Sequence, residues 1–270
     1  MSYCCLVRED KASLEIEKEI KTRIKLSYND VDPEIVVAIG GDGTIIKASH
    51  LYPNAIIFGI HTGHLGFYAN YSVDELDLLI DDINNKNYCI EKLKLLSCEI
   101  EDSLGNVIKE NALNEITVVT PPRTLTLDVK IDGEFLERFR GTGLCISTPS
   151  GSTAYNKSLG GSVIDPSLKA FQLTEIASIN NRVYKTIASP IILSQKNKVV
   201  LVPKNNSNIY ISVDGESLNI KDVKEIKCSL SDKKIIILSH YSDDFWQRLK
   251  RSFIWKYKTK NASTHIYLRF

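Results

Sequence analysis

The run Gly-Gly-Asp-Gly-Thr at residues 40–44 constrains the fold of this chain more than any other segment. It follows directly on the apolar residues 35–39, which predict a buried strand, and it opens a helical pattern that extends to residue 51. Glycines at such a strand-to-helix turn let backbone N–H groups approach an anion closely, so the run predicts a phosphate-binding loop. Asp42 places a negative charge beside that phosphate, a cost that makes sense if its carboxylate handles a hydroxyl proton or a metal ion. The alternative is a tight turn that Asp42 or Thr44 caps.

The composition argues against several classes of protein. The net charge of +1 gives no basic surplus of the kind that indicates a nucleic-acid partner. No apolar stretch approaches the ~18 residues of a membrane span, and the first residues lack the pattern of a signal peptide. The six cysteines show no CxxC spacing and are expected to be reduced and structural. These features predict a cytoplasmic protein that binds neither nucleic acid nor membranes.

The pattern of apolar residues divides the chain into two parts. Over residues 1–91 short apolar runs alternate with helical patterns, which predicts a Rossmann-like α/β domain that binds a nucleotide at a parallel sheet. Over residues 92–239 short strand patterns are separated by Asn, Asp and Gly turns, which predicts an antiparallel β-rich domain. The predicted fold class is therefore α/β plus β.

Three further segments complete this division. Residues from about 166 to 179 have a helical pattern, although they lie within the β-rich part. An apolar stripe with several aromatic residues within about 240–258 predicts a C-terminal helix that returns to complete the first domain. The tail 259–270 has no assigned role.

A second polar segment, Thr-Pro-Ser-Gly-Ser-Thr-Ala-Tyr at residues 148–155, offers hydroxyl groups, a glycine and an aromatic ring in eight positions. This combination suits a nucleotide, and a Ser/Thr-rich turn explains it equally well. Asn114 and Glu115 precede a strand, and such a pair alone carries almost no information. Arg138 and Arg140 suit either phosphate contacts or a solvated hairpin face, and alone they favour the hairpin.

Together these segments resemble the NAD kinase family, in a short bacterial form and over nearly the whole chain. GGDGT is shared with lipid kinases of the diacylglycerol and sphingosine type. The run HTGHLGFY at 61, NE at 114, TPSGSTAYNKSLGG at 148 and LTEIASINNR at 173 follow it in the order found in NAD kinases. The resemblance implies an N-terminal α/β domain, a β-rich C-terminal domain, a site between them and a homodimer or homotetramer.

The resemblance also implies a reaction and a set of residues. The γ-phosphoryl group of ATP, with Mg²⁺ carried by the ATP and no metal ligand assigned in the chain, is transferred to the 2′-hydroxyl of the adenosine ribose of NAD. Asp42 is the implied catalytic residue, which orients that hydroxyl and accepts its proton. The implied phosphate-binding residues are Gly40, Gly41, Gly43, Thr44 and Lys47. The implied NAD-binding residues are Asp42, Gly43, Phe67, Tyr68, Asn114, Glu115, Arg140, Thr142, Ser150, Thr153, Ala154, Tyr155, Asn156, Lys157, Ser158 and Ala177, the last from a neighbouring subunit.

Thr142 departs from the pattern of the family, which commonly has Asp at this position. That Asp is expected to recognise the nicotinamide side of the dinucleotide. Threonine keeps a hydroxyl group but lacks the charge, so the preference between NAD and NADH is open.

Other interpretations compete with this one. A lipid kinase that uses the same loop is disfavoured by the segment 148–155, and a non-catalytic NADP-binding protein is disfavoured by Asp42. His61 and His64 have the spacing of a metal pair but no third ligand nearby, so a metal site is disfavoured. Asp214 is predicted in a hairpin turn, with an approach to the site from the β-rich domain as the alternative.

Overall fold

Two β-sheets and the helices packed on them form the structure, a computed structural model that describes residues 1–63, 66–120, 123–204, 209–239 and 245–254. The α-helices in these ranges are α1 (Lys11–Arg23), α2 (Asp42–Leu51), α3 (Leu76–Asn85), α4 (Tyr155–Ser158) and α5 (Phe245–Phe253). Short 3₁₀ turns occupy Val73–Glu75 and Ser150–Thr153.

Within the described ranges, the larger sheet has eleven strands and is mixed. Its strands are β1 (Ser2–Val7), β2 (Ser27–Tyr28), β3 (Ile35–Gly40), β4 (Ile56–His61), β5 (Tyr71–Ser72), β6 (Cys89–Asp102), β7 (Val107–Ala112), β9 (Leu125–Ile131), β10 (Glu134–Gly141), β14 (Lys198–Pro203) and β17 (Val223–Ser239). The smaller sheet has six strands among the residues that the structure describes, and it is antiparallel. Its strands are β8 (Glu115–Val119), β11 (Gly143–Ser147), β12 (Ala170–Ile176), β13 (Ile191–Ser194), β15 (Tyr210–Val213) and β16 (Glu216–Leu218).

The first part of the larger sheet is a layer of parallel strands with helices on both faces. β3 lies between β1 and β4, and all six of its residues are buried. Ile35, Val37 and Ile39 belong to a core with residues of α1 and α3. Val36 and Ala38 belong to a second core with residues of α2. A strand covered on both faces has no polar alternation, which explains the continuous apolar run before the glycines.

This parallel arrangement places three strand ends at one edge of the sheet. β1, β3 and β4 run in the same direction, so the residues that follow them lie side by side. The loop 40–44 is one of these ends, and ligands of open α/β sheets bind at such an edge.

The β-rich part is built from two packed sheets. Leu127 and Phe139 of the larger sheet meet Ile116, Ile146 and Phe171 of the smaller sheet in one core, and none of these five side chains is exposed. Along β15 and in the first part of β14, buried residues alternate with less buried ones, as packing of one face requires, whereas all five residues of β11 are buried.

Two long strands connect the parts. β6 and β17 pair along most of their lengths, from Val223 opposite Asp102 to Ser239 opposite Cys89, with an irregularity between Leu230 and Lys234. β17 then pairs in parallel with β4, so one sheet continues from the β-rich part into the α/β part. The predicted division between residues 91 and 92 falls inside β6, and it stays a prediction.

The helix predicted at about 166–179 is wrong. Residues 170–176 form strand β12, which pairs with β11 on one side and with β13 on the other. The apolar spacing of this segment suits a helix locally, but two neighbouring strands offer it hydrogen bonds and a buried position. Tertiary pairing therefore outweighs the local pattern.

The returning C-terminal helix is present as α5 in the described part of 240–258. Phe245 is buried and packs edge-on against Phe67, with ring centroids 5.8 Å apart. Arg248 forms an ion pair with Glu91 at 3.2 Å. The helix thus returns to the junction of the two parts, whereas the tail 259–270 lies outside the described residues. No helix in the described ranges is long and apolar enough to cross a membrane.

Candidate active site

The glycine-rich loop forms a helix start that is open to an anion. Gly41 is the N-cap of α2, and Asp42 is its first residue. A Cβ atom at Gly40 would lie 2.3 Å from the Thr44 Oγ1 atom, so only glycine allows this close turn. The first N–H groups of a helix have no partner within the helix, and they point at the strand edge here. Gly43 and Lys47 are exposed beside them.

The Asp42 carboxylate binds a second loop and does not cap its own helix. Its Oδ2 atom accepts a hydrogen bond from the Phe67 N–H at 2.7 Å, and its Oδ1 atom accepts one from the Tyr68 N–H at 3.0 Å. The capping alternative is therefore wrong, because Gly41 holds that position. Each carboxylate oxygen keeps a further lone pair for a ligand.

Asp42 faces a cleft of about 220 Å³. The residues around it are Asp42, Gly66, Phe67, Tyr68, Asn114, Ser150, Thr153, Ala154, Ser252 and Phe253. The fold thus gathers predicted site residues from four separate segments around one carboxylate. The cleft lies where the α/β part, the smaller sheet and α5 meet.

Tyr68 and Asn114 form a buried pair in this cleft. The Tyr68 hydroxyl donates to the Asn114 Oδ1 atom at 2.5 Å. Burial, and after it the Asp42 charge, raises the pKa of Tyr68 well above its usual range, so the phenol stays a neutral donor. Asn114 lines the cleft, and its side-chain NH₂ group offers two further donors.

Glu115 lies behind Asn114 and is also buried. Its Oε2 atom has no hydrogen-bond partner among the residues that the structure describes. Burial, with a smaller contribution from the Asp214 charge, raises the pKa of Glu115 to about 7. The site therefore contains a carboxyl group that gains or loses its proton near neutral pH.

Glu115→Gln is expected to stabilise the protein increasingly as the pH rises. The pKa of Glu115 is raised from 4.5 to about 7, so between these values the folded state holds a proton that the unfolded chain has lost. The unfolding free energy of the unmodified protein therefore falls by at most about 3 kcal/mol as the pH rises through this window. Above the window it stays constant. Urea unfolding at pH 5, 6, 7 and 8 measures the difference between the two proteins.

Glu99→Gln is the matched control for this experiment. The pKa of Glu99 is lowered by its hydrogen bond to Lys109, so its removal gives no stabilisation at high pH. A difference between Glu115→Gln and the unmodified protein that stays constant from pH 5 to pH 8 contradicts the raised pKa of Glu115.

The predicted segment 148–158 supplies one wall of the cleft. Thr148 Oγ1 donates to the Leu113 carbonyl at 2.5 Å and accepts from the Gly151 N–H at 2.9 Å. A Cβ atom at Gly151 would lie 2.1 Å from the Asn114 carbonyl oxygen, so the segment packs directly on the Asn114 backbone. This close contact requires glycine at position 151.

The remaining residues of that segment differ in their surroundings. Asn156 is buried and accepts from the Thr174 hydroxyl at 2.7 Å, so it holds α4 on β12. Tyr155, Lys157 and Ser158 are exposed. The Lys157 ammonium lies 4.2 Å from the centre of the Phe253 ring, which brings a cation to the rim of the cleft.

Three predicted NAD-binding residues lie at the far end of β11. Thr142 donates its N–H to the Ile176 carbonyl at 3.0 Å, next to Ala177, and the Arg140 guanidinium lies 4.0 Å from the centre of the Tyr184 ring. Thr142 and Thr148 flank β11, and six residues of extended strand span about 20 Å. The structure therefore does not bring Arg140, Thr142 and Ala177 to the Asp42 cleft of the same chain.

Several residues of the site were not singled out from the sequence. Arg8 follows β1 directly, donates to Thr62 Oγ1 at 3.2 Å and pairs with Asp10 at 2.6 Å. The sequence position of Arg8 is the feature that could identify it, because a basic residue directly after a parallel strand lies at the edge of the sheet where ligands bind. Ser252 and Phe253 of the returning helix belong to no recognisable polar motif, so the sequence does not mark them as site residues. No cluster of three His, Cys, Asp or Glu side chains suited to a metal occurs in the described ranges, and His64 lies outside them.

Comparison with known proteins identifies the family. The ATP-NAD kinase N-terminal domain matches residues 7–88, and the ATP-NAD kinase C-terminal domain matches residues 113–239. An NAD kinase from Geobacillus stearothermophilus is 43% identical over 253 residues, which are 91% of this chain and 93% of the relative. The chain belongs to the NAD kinase family. NAD kinases are phosphotransferases, so the predicted enzyme class is confirmed and the lipid kinase alternative is set aside.

Solved structures of NAD kinases share the fold. Yeast NADH kinase in complex with NADH aligns with a TM-score of 0.81 at 22% identity, over 97% of this chain and 90% of that chain. An NAD kinase from Archaeoglobus fulgidus in complex with ATP aligns with a TM-score of 0.73 at 24% identity, over 94% of this chain and 97% of that chain. The predicted α/β plus β fold is confirmed.

Proposed function

We propose that this protein transfers the γ-phosphoryl group of ATP to the 2′-hydroxyl of the adenosine ribose of NAD, giving NADP and ADP. Membership in the NAD kinase family supports the reaction. The observation that carries the mechanism is the position of Asp42, whose carboxylate is fixed by two backbone N–H groups at the start of α2 and faces the cleft.

The two substrates approach this carboxylate from different sides. The triphosphate lies against the start of α2, where the implied residues Gly40, Gly41, Gly43, Thr44 and Lys47 are grouped. The adenosine half of NAD occupies the cleft lined by Phe67, Tyr68, Asn114, Ser150, Thr153 and Ala154. The segment 1–91 thus serves the phosphates and also contributes Phe67 and Tyr68 to the NAD cleft, whereas Asn114, Ser150, Thr153 and Ala154 come from the segment 92–239.

Asp42 acts as proton acceptor and orienting group. The 2′-oxygen forms a bond to the γ-phosphorus while the bond from that phosphorus to the β,γ-bridging oxygen breaks, and the hydroxyl proton moves to an Asp42 oxygen. Phosphoryl transfer needs positioning and charge neutralisation more than covalent chemistry. The N–H groups of Phe67 and Tyr68 hold the carboxylate in one orientation. The carboxylate is therefore already positioned for the proton transfer and needs little reorientation during the reaction.

Magnesium suits the cleft as part of the ATP complex. Among the described residues that line the cleft, Asp42 is the one carboxylate, and each of its oxygens already accepts one backbone hydrogen bond. Mg²⁺ takes few protein ligands when phosphates and water supply the others, so this donor set fits a phosphate-bound ion. When bound, Mg²⁺ neutralises charge on the phosphates.

A second copy of this chain completes the site. Arg140, Thr142 and Ala177 are grouped at one end of β11, about 20 Å by strand length from Thr148 at its other end, and none of the three lines the cleft. A neighbouring subunit can bring this group to the nicotinamide side, which supports a homodimer or homotetramer. Glu115, Tyr155, Asn156, Lys157 and Ser158 surround the adenosine side, with Glu115 and Asn156 buried behind it. The unpaired cysteines support a cytoplasmic location.

Thr142→Asp is expected to raise the ratio of kcat/KM for NAD over that for NADH. The added carboxylate accepts from the carboxamide and attracts the positive ring of NAD, a charge that NADH lacks. The carboxamide is common to both forms, so the change in the ratio comes from the ring charge, and an exposed charge pair of about 1 kcal/mol or less raises the ratio by up to about fivefold. The KM for ATP is the control and stays constant. An unchanged ratio means that residue 142 does not face the nicotinamide.

A coupled assay tests the proposed reaction directly. The purified protein is incubated with ATP, Mg²⁺ and NAD, and NADP is detected with an NADP-specific dehydrogenase. NADP that forms only when both ATP and NAD are present supports the proposal. NADP binding without NADP formation instead supports the non-catalytic alternative.

A further inference from the structure

The turn between β15 and β16 carries a carboxylate that is buried. Asp214 and Gly215 form a two-residue hairpin turn with φ values of 51° and 86°, as Asp132 and Gly133 do between β9 and β10 with 53° and 90°. Hairpin turns of this kind normally place the aspartate in solvent, as the exposed Asp132 does. The Asp214 side chain is only 1% exposed. Turn geometry alone does not explain this burial.

Four donors surround the Asp214 carboxylate. Its Oδ1 atom accepts from the Asn114 N–H at 2.7 Å and from the Glu115 N–H at 3.1 Å. Its Oδ2 atom accepts from the Leu113 N–H at 2.7 Å and contacts the His50 Nε2 atom at 2.8 Å. Three consecutive backbone N–H groups are thus fixed by one side chain, which is a strong constraint on the position of residues 113–115.

The same segment is held from its other side. Thr148 donates its hydroxyl to the Leu113 carbonyl and its N–H to the Asn114 carbonyl at 2.9 Å. The Asp214 N–H donates to the Glu115 carbonyl at 2.9 Å. Residues 113–115 are therefore fixed between the hairpin and the segment at 148, so a shift of the hairpin carboxylate moves the Asn114 side chain.

Asp214 is also connected to both ends of α2. His50 lies in the last turn of the helix that begins at Asp42, and it bonds to Asp214. At the other end, Asn114 accepts from Tyr68, whose N–H donates to Asp42. Asn114, which is assigned to NAD binding, and the Asp42 carboxylate are thus both connected to the buried carboxylate of Asp214.

The charges around His50 support this connection. The hydrogen bond to Asp214 is the largest cause that raises the pKa of His50, whereas burial opposes it, and the charges of Asp214, Glu216 and Glu110 add to the rise. The raised pKa favours the protonated imidazole, whose Nε2–H can donate to the Asp214 Oδ2 atom 2.8 Å away.

We propose that Asp214 is a positioning residue, which fixes Asn114 and Glu115 against α2 so that bound NAD presents its 2′-hydroxyl to Asp42. This inference rests on the proposed function, because it assigns NAD to the Asn114 side of the cleft. Asp214 is not among the residues that line the cleft, so it acts through the backbone of residues 113–115.

Asp214→Asn tests the proposal. The amide replaces one acceptor oxygen by a donor, so at least one of the N–H groups of residues 113–115 loses its partner and the segment shifts. A misplacement of this kind costs up to about 100-fold in kcat/KM for NAD, whereas the KM for ATP changes little. NAD binding at equilibrium, without ATP, is expected to weaken in parallel.

Asp132→Asn is the matched control, because it changes the same residue type in the same type of turn. Asp132 also accepts a backbone hydrogen bond, from the Lys198 N–H at 2.8 Å, but it lines a different pocket, which shares no residue with the cleft. It is expected to leave the kinetics for both substrates unchanged. If Asp214→Asn shows the same NAD kinetics and NAD binding as Asp132→Asn, the proposal is overturned.

A second pair of variants keeps the proposal testable if Asp214→Asn does not fold. His50→Leu removes one of the four donors and is expected to raise the KM for NAD about fivefold. His50→Gln restores an N–H donor near the Nε2 position and is expected to recover most of that loss. If His50→Leu and the unmodified protein have equal NAD kinetics, the part of the proposal in which Asp214 holds residues 113–115 against α2 through His50 is overturned. Absence of NADP formation by the unmodified protein is a different result, which overturns the proposed function itself.

Discussion

Asp42→Asn is expected to lower the turnover of NAD phosphorylation by about 10²- to 10⁴-fold while NAD still binds. Asparagine keeps the size of the side chain but cannot accept the hydroxyl proton as the new bond forms. The Asp42 carboxylate also accepts the N–H groups of Phe67 and Tyr68. The substitution therefore removes the proton acceptor and weakens one contact to the second loop, and the two effects must be separated.

Equilibrium binding and single-turnover kinetics separate them. A loss of the proton acceptor lowers the rate of the chemical step at saturating NAD and ATP and leaves the dissociation constant of NAD almost unchanged. A displaced loop instead weakens NAD binding, because Phe67 and Tyr68 line the cleft. Turnover close to that of the unmodified protein would mean that Asp42 only anchors the loop at 66–68.

The local sequence is sufficient to predict the structure of the loop that carries Asp42. The apolar run at 35–39, the glycines and the helical pattern that follows are adjacent in the chain, so their geometry follows from backbone rules. The alternation of strands and helices, followed by a run of strands, likewise sets the α/β plus β class. The arrangement of β3 between α1, α3 and α2 follows from its two buried faces.

Contacts between distant segments could not be derived in this way. The bonds from Phe67 and Tyr68 to Asp42 span 25 and 26 residues, and those from Leu113, Asn114 and Glu115 to Asp214 span about 100. No local pattern marks a backbone N–H as the partner of a remote carboxylate. Asp214 was therefore interpreted as part of a turn, with an approach to the site only as the alternative.

In the segment 170–176 the local pattern is misleading. Its spacing indicates a helix, but β11 and β13 pair with it on both sides and bury it.

The length of β11 determines which predicted site residues lie together. Thr148 at one end bonds to Leu113 and Asn114 beside the cleft, whereas Thr142 at the other end bonds to Ile176. A list of motif residues carries no information on such distances.

Gly66→Ala is expected to lower kcat by about 100-fold, because a methyl group at this position displaces the Asp42 carboxylate. A Cβ atom at Gly66 would lie 2.1 Å from the Asp42 Oδ1 atom and 2.4 Å from its Cγ atom. Both distances are far below any real carbon contact, so the carboxylate must move. Its bonds to the N–H groups of Phe67 and Tyr68 fix it from the same side, so that movement breaks at least one of them.

Gly63→Ala, three residues earlier in the same loop region, separates this effect from a general loss of chain freedom. A Cβ atom at Gly63 would have the end of the Arg8 side chain as its nearest neighbour, at 3.9 Å, which is an ordinary contact. Replacing glycine by alanine where the space allows it stabilises a protein by about 0.4–1 kcal/mol, through the unfolded chain. Gly63→Ala is therefore expected to keep its activity and melt slightly higher, whereas Gly66→Ala loses kcat and melts lower. Equal activities in the two variants would mean that the Asp42 carboxylate can leave its two N–H donors without loss of rate, which is incompatible with its role as a fixed proton acceptor.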